Sequence, residues 1–215
     1  MNCQFFNFSC NNLSTLVSIV FSIIEVKLSS VVNLSLIKLI KDVLSLNPSK
    51  VKISNIIPQH LESLLLKLDE MGVRMDIGID SVTVYGGNEL QSVEVKTLPY
   101  PGFATDLQQP LTALLTQAVG FSRIKDTIYP ERFKHCHELS LMGADIEVGG
   151  GSSSITGPTP LEGCTVTATD LRCGASLVIA GLLANGTTTI KDAYHIYRGY
   201  DNIKEKLRSL GADVE

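Results

Sequence analysis

Thr165-Val166-Thr167-Ala168-Thr169-Asp170-Leu171-Arg172 is a short run of β-favouring residues that breaks at a polar Thr-Asp step ahead of an apolar stretch. That is the pattern of a strand turning into a helix. A second copy lies upstream, where Phe103-Ala104-Thr105-Asp106-Leu107-Gln108 carries the same Ala-Thr-Asp-Leu core and again leads into an apolar run. Taken singly, either aspartate reads as a helix N-cap whose carboxylate accepts from the first free amides. The duplication makes this more than one helix start, and the surroundings decide its meaning.

Working outward, the chain repeats itself. Ile57 to Val73, Arg132 to Ile146 and Arg198 to Val214 each read as an amphipathic helix, a closing glycine and a strand. Leu61, Leu64, Leu65 and Leu68 keep helical spacing in the first, as do Tyr200, Ile203, Leu207 and Leu210 in the last. The glycines, Gly72, Gly143 and Gly211, recur every roughly 70 residues, room for a whole structural unit. Ahead of each helix stands a short alternating strand, at Val51–Asn55, Ser122–Asp126 and Thr188–Asp192. Ahead of each strand is an apolar helix, with candidates at Leu34–Leu44, Leu111–Val119 and Ala175–Leu183. Further strands are expected at Ser81–Tyr85, Val93–Leu98 and Cys164–Ala168. The expected architecture is α/β (α+β): a domain over residues 31–215 of three units, about 31–98, 99–163 and 164–215, with residues 1–30 unassigned. The last unit lacks closing strands of its own, and the N-terminus is the candidate to supply them.

Composition narrows the class. Over 215 residues, 44% hydrophobic and 19% charged content describes a globular chain with a sizeable core. A net charge of −4 without a Lys/Arg block argues against a nucleic-acid surface. Cys3, Cys10, Cys136, Cys164 and Cys173 show no metal-ligand spacing and read as free thiols of a reducing compartment. His135, His137 and His195 read as packing or locally bonded residues, and no metal is expected. Met1–Ile24 has no charge, and its apolar part, Leu13–Ile24, is short for a membrane span and lacks a basic leader.

One group of motifs is longer and more specific: Pro101-Gly102-Phe103-Ala104-Thr105-Asp106; Glu131-Arg132-Phe133 with His135, Glu138 and Leu139; Met142-Gly143-Ala144; Ala168-Thr169-Asp170-Leu171-Arg172; Tyr194-His195-Ile196; and Arg198-Gly199-Tyr200. In this order, from about Val51 to Glu215, the sequence resembles the UDP-N-acetylglucosamine 1-carboxyvinyltransferase family of enolpyruvyl transferases. The resemblance implies an inside-out α/β barrel domain, one of the usual two. It implies transfer of the enolpyruvyl group of phosphoenolpyruvate to the 3-hydroxyl of UDP-N-acetylglucosamine, a step in peptidoglycan precursor synthesis that uses no metal or cofactor. It also implies a cytoplasmic setting, or a plastid in a plant. In one respect the sequence departs from the family pattern, since Pro130 stands where an acidic residue directly precedes Glu131.

By the same resemblance Asp106 meets the sugar hydroxyl as base or orienter, Asp170 is a second carboxylate at the reaction centre with Arg172 beside it, and Arg198 grips phosphoenolpyruvate. Arg132 is a further substrate-binding arginine, and the Ile128 backbone meets the nucleotide sugar. The chemistry suits these types: a base must take the hydroxyl proton, and guanidinium forks suit phosphate and carboxylate. The reactive cysteine, a lysine and further arginines of the family belong to the other domain, and none of the five cysteines here matches the reactive one. A catalytic half needing a complementary domain in trans is therefore expected. The competing readings are a non-catalytic remnant that binds a sugar nucleotide or a protein partner, and a truncated gene model.

Overall fold

The computed structural model describes residues 5–9, 50–86, 89–209 and 212–215. The helix expected at Leu34–Leu44, the apolar run Leu13–Ile24, and Leu210 and Gly211 lie outside the described residues. Strand β1 (Phe5–Ser9) precedes β2 (Lys50–Ser54), a 3-10 turn at Pro58–Leu61, α1 (Glu62–Glu70), β3 (Arg74–Ile77), β4 (Ser81–Tyr85) and β5 (Glu94–Lys96). Then come α2 (Thr105–Leu115), β6 (Gly120–Lys125), α3 (Lys134–Leu141), β7 (Asp145–Gly149), β8 (Ser152–Gly157) and β9 (Thr165–Thr167). The chain continues with α4 (Leu171–Leu183), β10 (Thr187–Lys191), α5 (Tyr194–Tyr197), α6 (Ile203–Ser209) and β11 (Asp213–Val214).

The strands form three sheets with a shared plan. In order they are β2-β4-β3, β5-β6-β8-β7 and β9-β10-β1-β11. In the second sheet β5 runs parallel to β6, and β8 lies antiparallel between β6 and β7. In the third, β9 runs parallel to β10, and β1 lies antiparallel between β10 and β11, with Phe5 opposite Lys191 and Ser9 opposite Asp213. A strand from the segment left unassigned in the sequence thus takes the inner antiparallel place that β4 and β8 fill elsewhere. Along β6, Ser122 and Ile124 are buried while Phe121, Arg123 and Lys125 are exposed, the alternation of a sheet with one covered face.

The covering is supplied by two buried helices: α4 is apolar on nearly every side, whereas α2 buries Gln108, Gln109 and Thr112 along with its apolar residues. Residues 107–115 of α2 and 173–183 of α4 are buried along their whole length. The two helices pack on each other, and α4 also touches α3, α5, β10 and β1. Close approach needs glycine at one point: a Cβ on Gly174 of α4 would stand 2.5 Å from Ile196 Cγ1.

Helix ends explain the recurring glycines. After α1, the Gly72 amide donates to the Asp69 carbonyl and the Val73 amide to Leu68, with Gly72 at φ +84. After α3, Gly143 donates to Ser140 and Ala144 to Leu139, with Gly143 at φ +99. Both are the paired bonds of a left-handed helix stop, which a residue with a Cβ adopts only under strain. The Ala212 amide makes the corresponding bond to Leu207 after α6.

Several boundaries differ from expectation. The helix expected at Leu111–Val119 runs instead over Thr105–Leu115 and carries Pro110 inside it. A proline suggests a helix start, yet burial of the flanking residues holds the first turn in place ahead of it. The helix expected at Ala175–Leu183 begins earlier, at Leu171. The last amphipathic helix, expected from Arg198, begins only at Ile203 as α6, after Asn202 at φ +51, and a separate short helix, α5, precedes it at Tyr194–Tyr197. Ser152–Gly157, not singled out in the sequence, is β8, a serine-rich strand whose partners on both sides stabilise it. Among the described residues, no helix is long and apolar enough to cross a membrane.

Candidate active site

The two Thr-Asp corners occupy different positions in their helices. Helix α4 starts after Asp170, which is its N-cap: the Asp170 Oδ1 accepts from the amides of Arg172 at 2.8 Å and Cys173 at 3.0 Å. Helix α2 starts two positions earlier in the motif, with Ala104 as the N-cap residue and no side-chain cap. Asp106 therefore sits inside the first turn of α2 with its carboxylate turned to other side chains. The local capping reading holds for Asp170 and fails for Asp106.

What Asp106 meets is a pair of arginines from two separate elements. Arg132 Nη1 donates to Asp106 Oδ1 at 3.0 Å, and Arg172 Nη2 donates to Oδ2 at 2.5 Å. All three side chains are partly buried, between 21% and 31% exposed, enough to strengthen the pairing while leaving it reachable from solvent. Arg132 is itself fixed on several sides. Its guanidinium lies 4.3 Å from the centre of the Tyr129 ring, and its carbonyl accepts from the buried Gln108 side chain at 2.7 Å.

Asp170 and Arg172 share the turn that starts α4, so the cap and the Asp106 ion pair are coupled through two residues of backbone. That turn is braced from below. Glu138 of α3 accepts from the Thr167 amide at 2.8 Å. Tyr200, only 6% exposed, lies close enough to feel Arg172, Asp106 and Asp170; burial pushes its hydroxyl pKa up, and Arg172 pulls the other way. His135 is fully buried behind the corner. Burial lowers its pKa to about 3, partly opposed by the Asp170 charge.

Arg198 follows α5 and is exposed, and among the described residues it forms no ion pair. Its neighbour Gly199 ties it to the site, because a Cβ there would stand 2.3 Å from Leu171 Cδ1. Arg198 is thus carried at the contact between the α5–α6 link and the α4 corner. Ile128 is half-buried, and its amide already donates to Asp126 Oδ1 at 2.9 Å.

Two acids outside the predicted set hold this arrangement. One is Glu138; the other is Asp126, 1% exposed at the end of β6. Its Oδ1 accepts from Thr97 Oγ1 at 2.7 Å and from the amides of Ile128 and Tyr129, both at 2.9 Å, while Oδ2 accepts from Thr105 Oγ1 at 2.5 Å. Burial raises its carboxyl pKa, but bonds from Thr105, the Tyr129 amide, Thr97 and the Ile128 amide outweigh it, leaving the group below the ordinary value. In sequence Asp126 is one polar residue after a strand, and only its burial separates it from a turn aspartate.

The buried thiols are inert packing groups. Burial pushes Cys136 up to about 12 and Cys173, beside Arg172, up to about 11. Among the described residues no three His, Cys, Asp or Glu side chains converge as metal ligands. The arrangement offers instead a carboxylate with a guanidinium on each oxygen, a third exposed arginine nearby and a capped acid behind them. Such a surface can orient a hydroxyl and hold a phosphate or carboxylate.

Comparison with known proteins gives a consistent picture. The profile of the EPSP synthase (3-phosphoshikimate 1-carboxyvinyltransferase) family matches residues 44–207. A UDP-N-acetylglucosamine 1-carboxyvinyltransferase 2 of Listeria monocytogenes is 57% identical over 164 residues, covering 76% of this chain and 39% of that protein. The enzyme of the same name from Geobacillus kaustophilus is 56% identical over 165 residues, covering 77% and 39%. The crystal structure of the enolpyruvyl transferase NikO from Streptomyces tendae superposes with a TM-score of 0.72 at 32% identity, covering 82% of this chain and 41% of that one. The chain spans about two fifths of the length of the curated relatives it matches.

Proposed function

Given that the chain belongs to the EPSP synthase family of enolpyruvyl transferases, we propose that it forms one wall of a site that transfers the enolpyruvyl group of phosphoenolpyruvate to the 3-hydroxyl of UDP-N-acetylglucosamine. The observation that carries this is the Asp106 carboxylate held by Arg132 and Arg172 at the mouth of two buried helices. The names of the relatives favour the sugar-nucleotide acceptor. We read the three sheets as three copies of one unit in an inside-out barrel, which their shared strand plan supports.

In this reading the sugar 3-hydroxyl replaces one guanidinium on Asp106, and the carboxylate takes its proton as the oxygen adds to C2 of phosphoenolpyruvate. A general acid of the complete site delivers a proton to C3, balanced by the one Asp106 has taken from the hydroxyl, and a tetrahedral intermediate results. Loss of that proton's equivalent from C3, with departure of phosphate, restores the vinyl group on the sugar. The arginine released from Asp106 by the sugar, with Arg198, faces the phosphate and carboxylate of the donor throughout. Asp170 holds the start of α4, and so Arg172, in place while presenting a second carboxylate to the cleft. The ligand side of the Ile128 loop is its remaining backbone group, the carbonyl.

Calorimetric titration with UDP-N-acetylglucosamine tests the acceptor half: heat of binding that disappears in Asp106→Ala is expected. Phosphate release from phosphoenolpyruvate and the sugar nucleotide, measured after adding the remaining portion of the Listeria monocytogenes relative in trans, tests turnover. Binding without phosphate release would favour a nucleotide-sugar binding role over catalysis. Absence of both would refute the proposal.

A further inference from the structure

Three strand ends occupy matching places in the sequence, Asn55 after β2, Asp126 after β6 and Asp192 after β10. Asn55 and Asp192 are exposed residues in the left-handed region, at φ +63 and φ +56, as turn residues of this type often are. Asp126 is outside that region, turned inward and buried, and among the described residues no cation pairs with it. Its charge is balanced by four donors alone. A buried anion without a counter-ion is held by the hydrogen-bond donors that share its charge, and such a residue fixes whatever those donors belong to.

Those donors come from three pieces of the molecule. Thr97 ends the β5 strand, Thr105 opens α2 beside Asp106, and the Ile128 and Tyr129 amides begin the loop that delivers Arg132. The loop is short: the Arg132 amide donates back to the Tyr129 carbonyl, and the Tyr129 ring supports the Arg132 guanidinium. Thr105 completes the circuit, since its hydroxyl donates to Asp126 and its oxygen lies 3.5 Å from Arg132 Nη1.

We propose that Asp126 is the positioning residue of this site: its carboxylate clamps the 127–132 loop to the first turn of α2 and so sets Arg132 on Asp106. The inference rests on the reading of Asp106 as the sugar-binding carboxylate. Asn at this position retains one acceptor oxygen for Thr97 and the two amides, but turns an NH2 group toward Thr105. The hydroxyl then accepts where it donated, so a charge-assisted bond becomes a neutral one of reversed polarity on the oxygen that Arg132 Nη1 also approaches, and the link between loop and helix is weakened while the rest of the core is kept.

The Arg132 Nε–H signal in a 15N-correlated spectrum, assigned by its loss in Arg132→Lys, reports the clamp directly. Affinity for UDP-N-acetylglucosamine reports its consequence. Asp126→Asn and Thr105→Val are each expected to shift the Arg132 signal and weaken the sugar nucleotide ~10-fold, with unchanged far-ultraviolet circular dichroism. Thr105→Ser, which keeps the hydroxyl, should match the parent in both. An unmoved Arg132 signal in a folded Asp126→Asn overturns the proposal, and so does a shifted signal with unchanged affinity. Should Asp126→Asn not fold, Thr105→Val decides by the same criteria. Should the parent chain not bind the sugar nucleotide, the functional reading fails on its own. The Arg132 signal then judges the clamp alone, supported by a shift and refuted by none.

Discussion

Acid should weaken this protein through one buried imidazole before its carboxylates are reached. His135 is 0% exposed, its Nδ1 has no hydrogen-bond partner, and its Nε2 meets only the Cys136 sulfur, at 3.5 Å. Burial holds its pKa at about 3, against an ordinary value of 6.5, even with Asp170 pulling it up. The unfolded chain therefore binds a proton near pH 6.5 that the folded chain refuses until about pH 3. Stability from this group is complete above 6.5 and falls as the pH is lowered, by about 1.4 kcal/mol per unit. At pH 4.5 the loss is about 2.7 kcal/mol relative to neutral pH, a sizeable part of the net stability of an ordinary domain. Asp126 acts in a different window. Its lowered pKa means that its contribution is present above the ordinary carboxylate value of 3.8 and is lost only as the pH falls below that. Urea unfolding at pH 7 and pH 4.5, for the parent and His135→Gln, separates the two groups. The parent should lose about 2.7 kcal/mol more than the variant between those conditions. Equal losses in both proteins would refute the account of His135.

Two further outcomes test the corners. Asp170→Ala should lower stability by about 1 kcal/mol through loss of the α4 cap, whereas Asp170→Asn, which keeps an acceptor oxygen, should recover most of it in a thermal melt. No difference between the two would mean that the bonds to the Arg172 and Cys173 amides contribute nothing. Gly199→Ala drives a methyl group into Leu171 and should cost about 1–3 kcal/mol. Leu171→Ala in the same chain should relieve part of that cost, and strictly additive effects in the double-mutant cycle would exclude the contact.

Much of this was legible in the sequence because the same physical devices recur. Gly72 and Gly143 mark helix stops that need a positive φ, and the apolar helices expected at Leu111–Val119 and Ala175–Leu183 overlap the buried helices α2 and α4. Both point to α/β units with buried helices, and both are found. The candidate site was legible as a set of residue types, and Asp106, Arg132 and Arg172 are brought into contact. What the residues did not disclose is where a helix begins. The two Ala-Thr-Asp-Leu motifs look identical, yet α2 begins at Thr105 in spite of Pro110 and α4 only after Asp170, so that one aspartate faces arginines and the other caps backbone amides. The roles of Asp126 and Glu138 were not legible for a related reason. Each is a single acid in a polar stretch, and its role comes from partners about 20 to 30 residues away.

The β1 strand has a consequence for how the molecule assembles. Phe5 pairs with Lys191, so the inner strand of the third sheet joins residues separated by roughly 180 positions. Compared with the hairpin that joins β7 to β8, closing a loop that long costs about 3–4 kcal/mol more in chain entropy. The hairpin sheets can form as each segment emerges from the ribosome, but the third must wait until β10 and β11 have been made. Until then β1, the first strand made, has no partner on either edge and is open to any extended segment, and the order of synthesis makes this the step most exposed to mispairing.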